Sequence, residues 1–536
     1  MSAAPRLLLS GNQAIALAAR HAGIALGAGY PGTPSTEILE EFGAAGGKAQ
    51  WSPNEKVALE VALGAAFGGA RALVTMKHVG LNVASDVLFT AAYTGVSGAL
   101  VIITADDPGM ASSQNEQDNR RYAPFAAVPM IEPSDSQEAY DFTLAAIEVS
   151  ERWHIPVLLR VTTRVCHTQA VVVPHPPSSP PPAPNFQRDI KGRVMIPLHA
   201  RPAHRRLRAK IAEIAEWNET SPLNRILPGN GALGIIASGV CVMHAREAAP
   251  DASILKLGMT WPLPIRKVRE FATGVKRLYV IEENDPVFAD ALRAEGIACE
   301  SKPSSERFGE LDVARVRALL GGTPAATPST ARIPGKAPQL CEGCPYRAVF
   351  QSFRKLDCIV SGDIGCYTLG VLPPFEAMDM MVDMGAAIGM GLGLRHVLPE
   401  DQACRVVSVI GDSTFIHSGL TGIAEMVYNR PPTGHVVVIL DNLTTAMTGH
   451  QEHPGTGRTL DHGRAGRVVI EDAVRGLGIS HVEVMDPVRG DFEGILRAAL
   501  DRRDLTVIVA RRACLLIAGK IRQYEAAAKE SECKAA

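Results

Sequence analysis

RVVSVIGDSTFIHSGLTGIAEMVYNRPPTGHVVVILDNLTT, residues 405–445, decides how the carboxyl-terminal part of this 536-residue chain folds. Two runs rich in β-branched residues, 405–410 and 435–440, are too short for helices and too apolar for exposed edge strands. They predict neighbouring buried parallel strands. Apolar residues at helical spacing fill the crossover, residues 418–429, and Pro431-Pro432 ends it. This stretch therefore indicates the α/β class.

Polar residues follow the two predicted strands. Asp412 and Asn442 would lie just beyond the carboxyl ends of the strands, where open α/β sheets bind ligands. Magnesium takes hard oxygen ligands, and phosphate oxygens and water complete its octahedron. The Asp412 carboxylate, the Asn442 amide and the backbone carbonyl of Thr444 would suffice as protein ligands. Read alone, Gly411-Asp412-Ser413 is better explained as a strand-ending turn with an aspartate N-cap, and the surrounding sequence reverses that preference.

Two glycine-rich helix starts supply that context. Residues 384–391, MGAAIGMG, begin with Met384 and Gly385, and their small side chains allow close backbone approach. Residues 54–66, NEKVALEVALGAA, place Glu55 at the opening of a helix. Thiamine enzymes need a glutamate near N1′ of the aminopyrimidine ring. A first-turn glutamate can also do no more than complement the helix dipole. Together with the Asp412/Asn442 pair, Glu55 favours a thiamine diphosphate enzyme.

Eight segments in order along the chain share one resemblance. They are YPGTPSTEI (30–38), NEKVALEVALGAAFGGAR (54–71), MKHVGLNVASD (76–86), ADDPGMASSQNEQDNRRYAPFA (105–126), CEGCPYR (341–347), GDIGCYTLG (362–370), GDSTFIHSGL (411–420) and DNLTTAMTGHQ (441–451). These motifs resemble the thiamine-dependent α subunit of indolepyruvate ferredoxin oxidoreductase, a branch of the 2-oxoacid:ferredoxin oxidoreductases. The resemblance implies oxidative decarboxylation of an aryl 2-oxoacid, such as indole-3-pyruvate, phenylpyruvate or an arylglyoxylate, with transfer of the acyl group to coenzyme A.

The resemblance and two proline-rich breaks together predict the domain organisation. We expect two thiamine-type doubly wound parallel-sheet domains and a smaller transketolase-C-like α/β domain between them. The predicted segments are a pyrimidine-binding domain (1–172), a Pro-rich and irregular linker (173–228), the transketolase-C-like domain (229–320), a second linker (321–340), a diphosphate-binding domain (341–517) and a tail (518–536).

Composition excludes several classes of protein. The formal net charge of −2 gives no electrostatic reason to expect nucleic acid as a partner. No apolar run approaches the roughly 18–20 residues that a membrane-spanning helix needs, so we expect no membrane insertion. The amino terminus, with one arginine before a three-leucine run, does not read as a secretory signal. A cytoplasmic enzyme is therefore predicted.

Ten cysteines in a large chain indicate metal or redox use rather than disulfides. Cys341 and Cys344 form a C-x-x-C, and Cys366 and Cys514 follow at intervals of 22 and 148 residues. The resemblance implies that these four bind a proximal [4Fe-4S] cluster, which passes electrons to ferredoxin or another external acceptor. A structural zinc site or unligated buried thiols remain alternatives.

Substrate contacts are implied mainly by the resemblance. Thr33 matches a threonine that faces the 2-oxoacid, although it could also be only a turn hydroxyl. Lys77 and His78 follow a predicted strand and would face the cleft, where the histidine could move protons. Pyruvate-type relatives place an arginine where this chain has Asp106-Asp107, which puts small pyruvate-like substrates in doubt.

Two further assignments complete the predicted site. Arg120 or Arg121 could replace the missing arginine against the substrate carboxylate. Met384 matches an apolar wedge that bends the cofactor, and core packing would explain it as well.

The expected assembly also follows from the resemblance. Indolepyruvate-type α subunits usually carry a carboxyl-terminal ferredoxin-like domain, which we expect this chain to lack. A smaller β subunit carrying the γ-type domain would complete an α2β2 complex. The alternatives are a non-oxidative thiamine-dependent 2-oxoacid decarboxylase or carboligase, in which the cysteines are structural, and a catalytically idle subunit that keeps the fold.

Overall fold

The computed structural model describes residues 5–176, 179–181, 183–322, 339–524 and 526, and the chain divides into two units, Met1–Ile333 and Pro334–Ala536. The linker predicted at 321–340 lies largely outside the described residues. Among those residues, four β-sheets organise the chain. The class is α/β with mainly parallel sheets, which confirms the predicted fold class.

The first unit alternates strands and helices. Its strands are β1 (Leu7–Ser10), β2 (Leu26–Gly29), β3 (Ala49–Trp51), β4 (Arg71–Lys77), β5 (Ala99–Asp106), β6 (Met130–Ile131), β7 (Val157–Thr162), β8 (Gln169–Val172), β9 (Arg225–Leu227), β10 (Leu233–Ser238), β11 (Ser253–Leu257), β12 (Met259–Trp261), β13 (Arg277–Ile281) and β14 (Glu300–Ser301). Its α-helices are α1 (Gly11–His21), α2 (Thr36–Ala44), α3 (Glu55–Phe67), α4 (His78–Thr94), α5 (Tyr122–Ala126), α6 (Ser136–Trp153), α7 (Thr163–His167), α8 (Ile190–Arg193), α9 (Pro197–Asn218), α10 (Cys241–Ala248), α11 (Ile265–Thr273), α12 (Val287–Ala294) and α13 (Val313–Leu319). Short 3₁₀ helices span Asn119–Arg121 and Ser304–Glu306.

A seven-stranded sheet in the order β12-β6-β7-β5-β4-β2-β3 forms the centre of the first unit. All its neighbours are parallel except β12, which runs antiparallel to β6. Strand β5 is buried along its whole length, as expected for a central parallel strand covered on both faces. A second sheet, β14-β13-β10-β11-β9, belongs to the middle of the chain, and β1 pairs with β8.

Two features of the first unit differ from the sequence-based expectations. The segment predicted to be an irregular linker, 173–228, contains the 22-residue helix α9. Ala203, Leu207 and Ile214 recur on one face of α9 and are buried, and this seam stabilises the helix despite Pro202 in its interior. The predicted middle domain also contributes β12 to the first sheet, so the two form one unit.

The second unit is built on a five-stranded parallel sheet in the order β15-β16-β17-β19-β18. Its strands are β15 (Ile359–Ser361), β16 (Val406–Gly411), β17 (His435–Asp441), β18 (His481–Met485) and β19 (Leu505–Arg511). Its α-helices are α14 (Tyr346–Lys355), α15 (Ala386–Val397), α16 (Glu400–Ala403), α17 (Asp412–Thr414), α18 (Leu420–Tyr428), α19 (Ile470–Gly476) and α20 (Phe492–Arg502). A π-helical turn, Phe415–Gly419, joins α17 to α18, and 3₁₀ helices span Cys366–Val371 and Ala446–Thr448.

The strand pair predicted from residues 405–410 and 435–440 is confirmed. Strands β16 and β17 are parallel neighbours, with Val407 opposite Val436 and Gly411 opposite Leu440. Alternate residues of these strands point to opposite faces of the sheet. Helices α14 and α20 cover one face, and α15, α18 and α19 cover the other. The sheet is therefore doubly wound, and the carboxyl ends of β16 and β17 meet at one edge.

In the described part of the chain, none of the helices combines the length and the apolar character that crossing a membrane would require.

Candidate active site

Asp412 is the centre of the polar site at the carboxyl ends of β16 and β17. It is buried, and its Oδ1 accepts a hydrogen bond from the Ser413 N–H at 2.9 Å. Its Oδ2 accepts one from the Leu443 N–H at 2.9 Å and lies 3.2 Å from Nε2 of His453. These contacts hold the carboxylate in one orientation. His453 was not identified from the sequence, because a loop histidine 41 residues away carries no periodic signal.

The loop after β17 brings the second predicted ligand beside Asp412. The Asn442 Oδ1 accepts the Thr444 N–H at 3.1 Å, and the Thr444 hydroxyl donates to the Gln451 carbonyl at 3.3 Å. Asn442 and Thr444 are both buried. Asp441, the last residue of β17, has its pKa raised to about 6 by burial and by the nearby charge of Asp412. The Asp441 Oδ2 also pairs with the Arg511 guanidinium at 2.6 Å, which opposes that rise.

Gly385 lies where the loop before α15 turns sharply. Its φ of +97° is a left-handed conformation that favours glycine, and an added Cβ would lie 2.3 Å from Cβ of Ser418. The Gly385 N–H donates to Asp363, which also accepts the Ala387 N–H. Burial raises the pKa of Asp363 to about 7 despite these hydrogen bonds. Asp363 belongs to one of the eight segments that carry the resemblance, residues 362–370, but no role was predicted for it, and Met384, beside Gly385, is half-buried.

The four predicted cluster cysteines converge in the second unit. Burial raises the pKa of Cys344 to about 11, and the Cys341, Cys514 and Cys366 thiols add to that rise. Burial likewise raises the pKa of Cys366 to about 11, with Cys514 and Cys341 contributing. The sulfur atoms therefore lie close enough for ionisation of one thiol to affect the pKa of another.

A site for a single metal ion requires several ligand side chains in one group. Within the described residues, no three His, Cys, Asp or Glu side chains are grouped so that they could hold one metal ion. An iron–sulfur cluster is larger, and each of its cysteines binds a different iron atom, so its thiols stand apart. A cluster on these four cysteines therefore stays a prediction.

Cys514 also contacts the loop that carries Asn442. Its N–H donates to the Asn442 carbonyl at 3.0 Å, and its Sγ lies 3.8 Å from Nε2 of His450. His450 belongs to the same loop as Asn442. Its pKa is lowered by burial and by the charge of Lys520. The sequence-based interpretation did not single out His450.

In the first unit, Glu55 begins α3 and is buried. The side chain of Asn54 caps the helix by accepting the Val57 N–H at 2.9 Å. The Glu55 carboxyl lies against Gly80 of α4, where an added Cβ would be 2.6 Å from Oε1. Glycine at this position is required for the approach of the carboxyl group. The structure thus gives Glu55 a defined, water-poor position.

The loop that contains Thr33 lies against Lys77. Thr33 is half-buried, and a Cβ added to the adjoining Gly32 would lie 2.9 Å from Cβ of Lys77. The Lys77 ammonium donates to the Ser112 carbonyl at 2.6 Å. Burial lowers the pKa of Lys77, while the Asp107 carboxylate opposes that shift. Thr33 and Lys77 are therefore neighbours at the carboxyl ends of β2 and β4.

His78 follows Lys77 and is fully buried at the start of α4. Its Nε2 lies 3.3 Å from Oδ1 of Asn115, and its Nδ1 has no hydrogen-bond partner among the described residues. Burial lowers its pKa, and the charge of Lys77 lowers it further. The ring is therefore neutral near neutral pH. The side chains of Gln117 and Asn119 both donate to the His78 carbonyl.

Arg120 and Arg121 occupy very different surroundings. Arg120 is buried and forms ion pairs with Asp118 at 2.6 Å and Glu282 at 2.7 Å. Its guanidinium also donates to two backbone carbonyls. These contacts connect Arg120 to residues 282–285 after β13, and they engage its guanidinium N–H groups with protein acceptors. Arg121 is exposed and pairs with Asp285 at 2.9 Å. A substrate contact by either arginine stays a prediction.

Comparisons with known proteins agree on one group. A family model described as "Thiamine pyrophosphate enzyme, C-terminal TPP binding domain" matches residues 363–510. One described as "Pyruvate flavodoxin/ferredoxin oxidoreductase, thiamine diP-bdg" matches residues 17–196. The two matches contain the Asp412 site and the Glu55 site, respectively.

Two curated relatives span nearly the whole chain. Indolepyruvate oxidoreductase subunit IorA of Archaeoglobus fulgidus is 39% identical over 97% of this chain and 88% of its own length. The subunit of the same name from Methanothermobacter thermautotrophicus is 39% identical over 98% of this chain and 90% of its own.

A solved structure shares the fold. It is a 2-oxoglutarate:ferredoxin oxidoreductase from Magnetococcus marinus with 2-oxoglutarate, coenzyme A and succinyl-CoA bound. It matches with a TM-score of 0.51 and 17% identity over 59% of this chain and 65% of that chain.

Proposed function

This chain belongs to the family of indolepyruvate oxidoreductase subunits IorA, and we propose that it catalyses the oxidative decarboxylation of an aryl 2-oxoacid. Membership makes it the α subunit of a thiamine diphosphate-dependent 2-oxoacid ferredoxin oxidoreductase. The observation that carries the proposal is the convergence of Asp412 and the Asn442 loop at the ends of β16 and β17, where Leu443 N–H bonds to Asp412.

The second unit would hold magnesium and the diphosphate. Asp412, the Asn442 amide and the Thr444 carbonyl would be the protein ligands of Mg²⁺, and the oxygen chemistry of this set suits that ion. Gly411, Ser413, Gly385 and Met384 would line the diphosphate-binding surface. The tight backbone approach at Gly385 supports this role.

The first unit would supply the acid that activates the cofactor. When bound, thiamine diphosphate provides the electron sink that lets a 2-oxoacid lose carbon dioxide. Glu55 would share a proton with N1′ of the aminopyrimidine ring. Its burial beside Gly80 supports this role, because a carboxyl group shielded from water keeps its hydrogen bond to a ligand.

Substrate contacts would come from the Thr33 loop, Lys77 and His78. Lys77 can attract the 2-oxoacid carboxylate, and the Thr33 hydroxyl can donate a hydrogen bond. The neutral His78 ring can donate or accept a proton. The relatives' name, indolepyruvate oxidoreductase, supports an aryl side chain on the substrate. We include Arg121 as a further candidate, and not Arg120, whose donors are engaged by protein acceptors.

Cys341, Cys344, Cys366 and Cys514 would hold a [4Fe-4S] cluster, which would supply one-electron transfer. The mutual proximity of these thiols supports the assignment. Thiolates are the usual ligands of such clusters, which transfer electrons singly. Ferredoxin would be the external acceptor, coenzyme A the acyl acceptor, and a smaller β subunit the partner in an α2β2 complex.

A substrate panel tests the proposal. Purified holoenzyme would be assayed anaerobically with indole-3-pyruvate, phenylpyruvate, pyruvate and 2-oxoglutarate, with a viologen dye as electron acceptor and with coenzyme A present or omitted. We expect dye reduction and aryl-acyl-CoA formation with the two aryl substrates. Carbon dioxide release without dye reduction would contradict the oxidative assignment.

A further inference from the structure

The imidazole of His450 faces the thiol of Cys514, with 3.8 Å between Nε2 and Sγ. We propose that His450 donates a hydrogen bond to the Cys514 thiolate and thereby raises the reduction potential of the cluster. His450 would then be a positioning residue for electron transfer. This inference rests on the proposed function, because it requires Cys514 to bind iron.

Backbone hydrogen bonds fix the position of His450. Its N–H donates to the Thr445 carbonyl at 3.0 Å, and the Thr445 N–H donates to the Gln451 carbonyl at 2.9 Å. The backbone of His450 is left-handed, with φ of +72°, and follows Gly449 with φ of +127°. These bonds hold the backbone of His450 in the conformation from which its Nε2 lies 3.8 Å from the Cys514 Sγ.

The same loop fixes the other partner. The Cys514 N–H donates to the Asn442 carbonyl at 3.0 Å, and the Cys514 carbonyl accepts the Ile517 N–H at 3.2 Å. Both members of the pair are therefore tied to the segment 442–451, which also carries the proposed magnesium ligand. Segment 442–451 would therefore affect both the binding of Mg²⁺ and the distance between the His450 ring and the Cys514 sulfur.

The direction of the effect follows from charge. A thiolate bound to iron can only accept hydrogen bonds, so the ring nitrogen that faces it must donate. Donation to a ligand sulfur stabilises the reduced form of the cluster, which carries more negative charge. The ammonium of Lys520, whose charge reaches His450, acts in the same direction. Removal of the ring should therefore make the cluster a stronger reductant.

The test is a redox titration of the anaerobically purified holoenzyme, followed by electron paramagnetic resonance. His450→Leu removes the donor, and His450→Gln keeps an N–H donor on a side chain of similar reach. His396→Leu is the matched control, because His396 is an exposed histidine of the same unit. Iron and acid-labile sulfide are measured for every variant.

We expect His450→Leu to change the reduction equilibrium about tenfold, a shift of about 59 mV to more negative potential for one electron. His450→Gln should recover more than half of that shift, and His396→Leu should give none. An unchanged potential in a fully loaded His450→Leu variant would overturn the inference, as would loss of iron from that variant, which would indicate a role in cluster retention. Wild-type protein without iron would overturn the proposed function as well.

Discussion

The Asp412 carboxylate accepts a hydrogen bond from the backbone N–H of Leu443, with 2.9 Å between Oδ2 and N. The bond joins the first residue of α17, directly after β16, to the loop after β17, in which Leu443 adopts a left-handed φ of +61°. Asn442 is thereby held beside the carboxylate. The relationship explains how two residues thirty positions apart in sequence come together as the proposed Mg²⁺ ligands.

Asp412→Asn tests that ligand set. The amide has the same shape and can keep an acceptor oxygen, but it loses the charge that attracts Mg²⁺. We expect the affinity for thiamine diphosphate with magnesium to fall roughly tenfold or more, a loss of about 1.4 kcal/mol or more, because a neutral amide oxygen attracts Mg²⁺ less strongly than a carboxylate does. Calorimetric titration measures it. Asp401→Asn, an exposed acid of the same unit, should bind normally; equal affinity in both variants would refute the assignment.

Glu55→Gln separates chemistry from binding. The substitution removes the acid but keeps the size of the side chain, so the cofactor should bind while turnover falls roughly 10²–10⁴-fold. Steady-state assays and cofactor titration check the two parts. Glu60→Gln is the control, because Glu60 lies on the same helix, is exposed and pairs only with Lys56 among the ion pairs described. Normal turnover of Glu55→Gln would exclude a role for its proton.

Gly80→Ala and Gly64→Ala form a second matched pair. At Gly80 the added methyl group would lie 2.6 Å from Oε1 of Glu55, so the carboxyl group must move, and activity should fall roughly 10²-fold. At Gly64, in α3, the added Cβ meets nothing within 4 Å. That variant should stay active and gain up to about 1 kcal/mol of stability. Steady-state assays measure the activity of both variants, and thermal unfolding measures their stability. Two equally active variants would contradict the placement of Glu55.

The pH dependence of the free energy of unfolding should reveal the raised pKa of Glu283. Burial raises its pKa from 4.5 to about 7, against the attraction of Arg160 and with a contribution from Glu310. The folded chain therefore keeps a proton that the unfolded chain releases, and the stability from that proton is lost as pH rises through about 7.

Glu283→Gln removes this titration. Its stability relative to the wild type should improve between about pH 5 and about pH 8, by up to about 3 kcal/mol. Denaturant unfolding at several pH values gives the difference. A difference that does not change with pH would show that Glu283 is ionised in the folded chain.

Sequence patterns identified the strands, whose apolar residues form short continuous runs, and the residues directly beside those strands. The β-branched runs of β16 and β17 predicted both strands, and the residue that follows each strand located Asp412 and Asn442. The roles of His453, which contacts Asp412, and of Asp363, which accepts a hydrogen bond from Gly385, were missed. These partners are 41 and 22 residues apart in the chain. Single polar side chains in loops leave no periodic pattern.

Two other differences have similar causes. The apolar residues of α9 recur at helical spacing in the sequence, but Pro202 and the surrounding arginines made a helix difficult to predict there. The pairing of Arg120 with Glu282 spans 162 residues, and only the tertiary structure shows that this arginine is occupied. An arginine near a predicted cleft is therefore weak grounds for a substrate contact.

The decisive measurement for the oxidative function is whether the substrate reduces the proposed [4Fe-4S] cluster. Anaerobically purified holoenzyme, loaded with thiamine diphosphate and Mg²⁺ and free of external acceptor, would be mixed with indole-3-pyruvate and frozen for electron paramagnetic resonance. We predict about four iron atoms and four labile sulfides per chain, with a reduced-cluster signal that requires both substrate and cofactor. Iron near zero, together with carbon dioxide release from the same sample, would contradict the oxidative function and identify a non-oxidative thiamine decarboxylase.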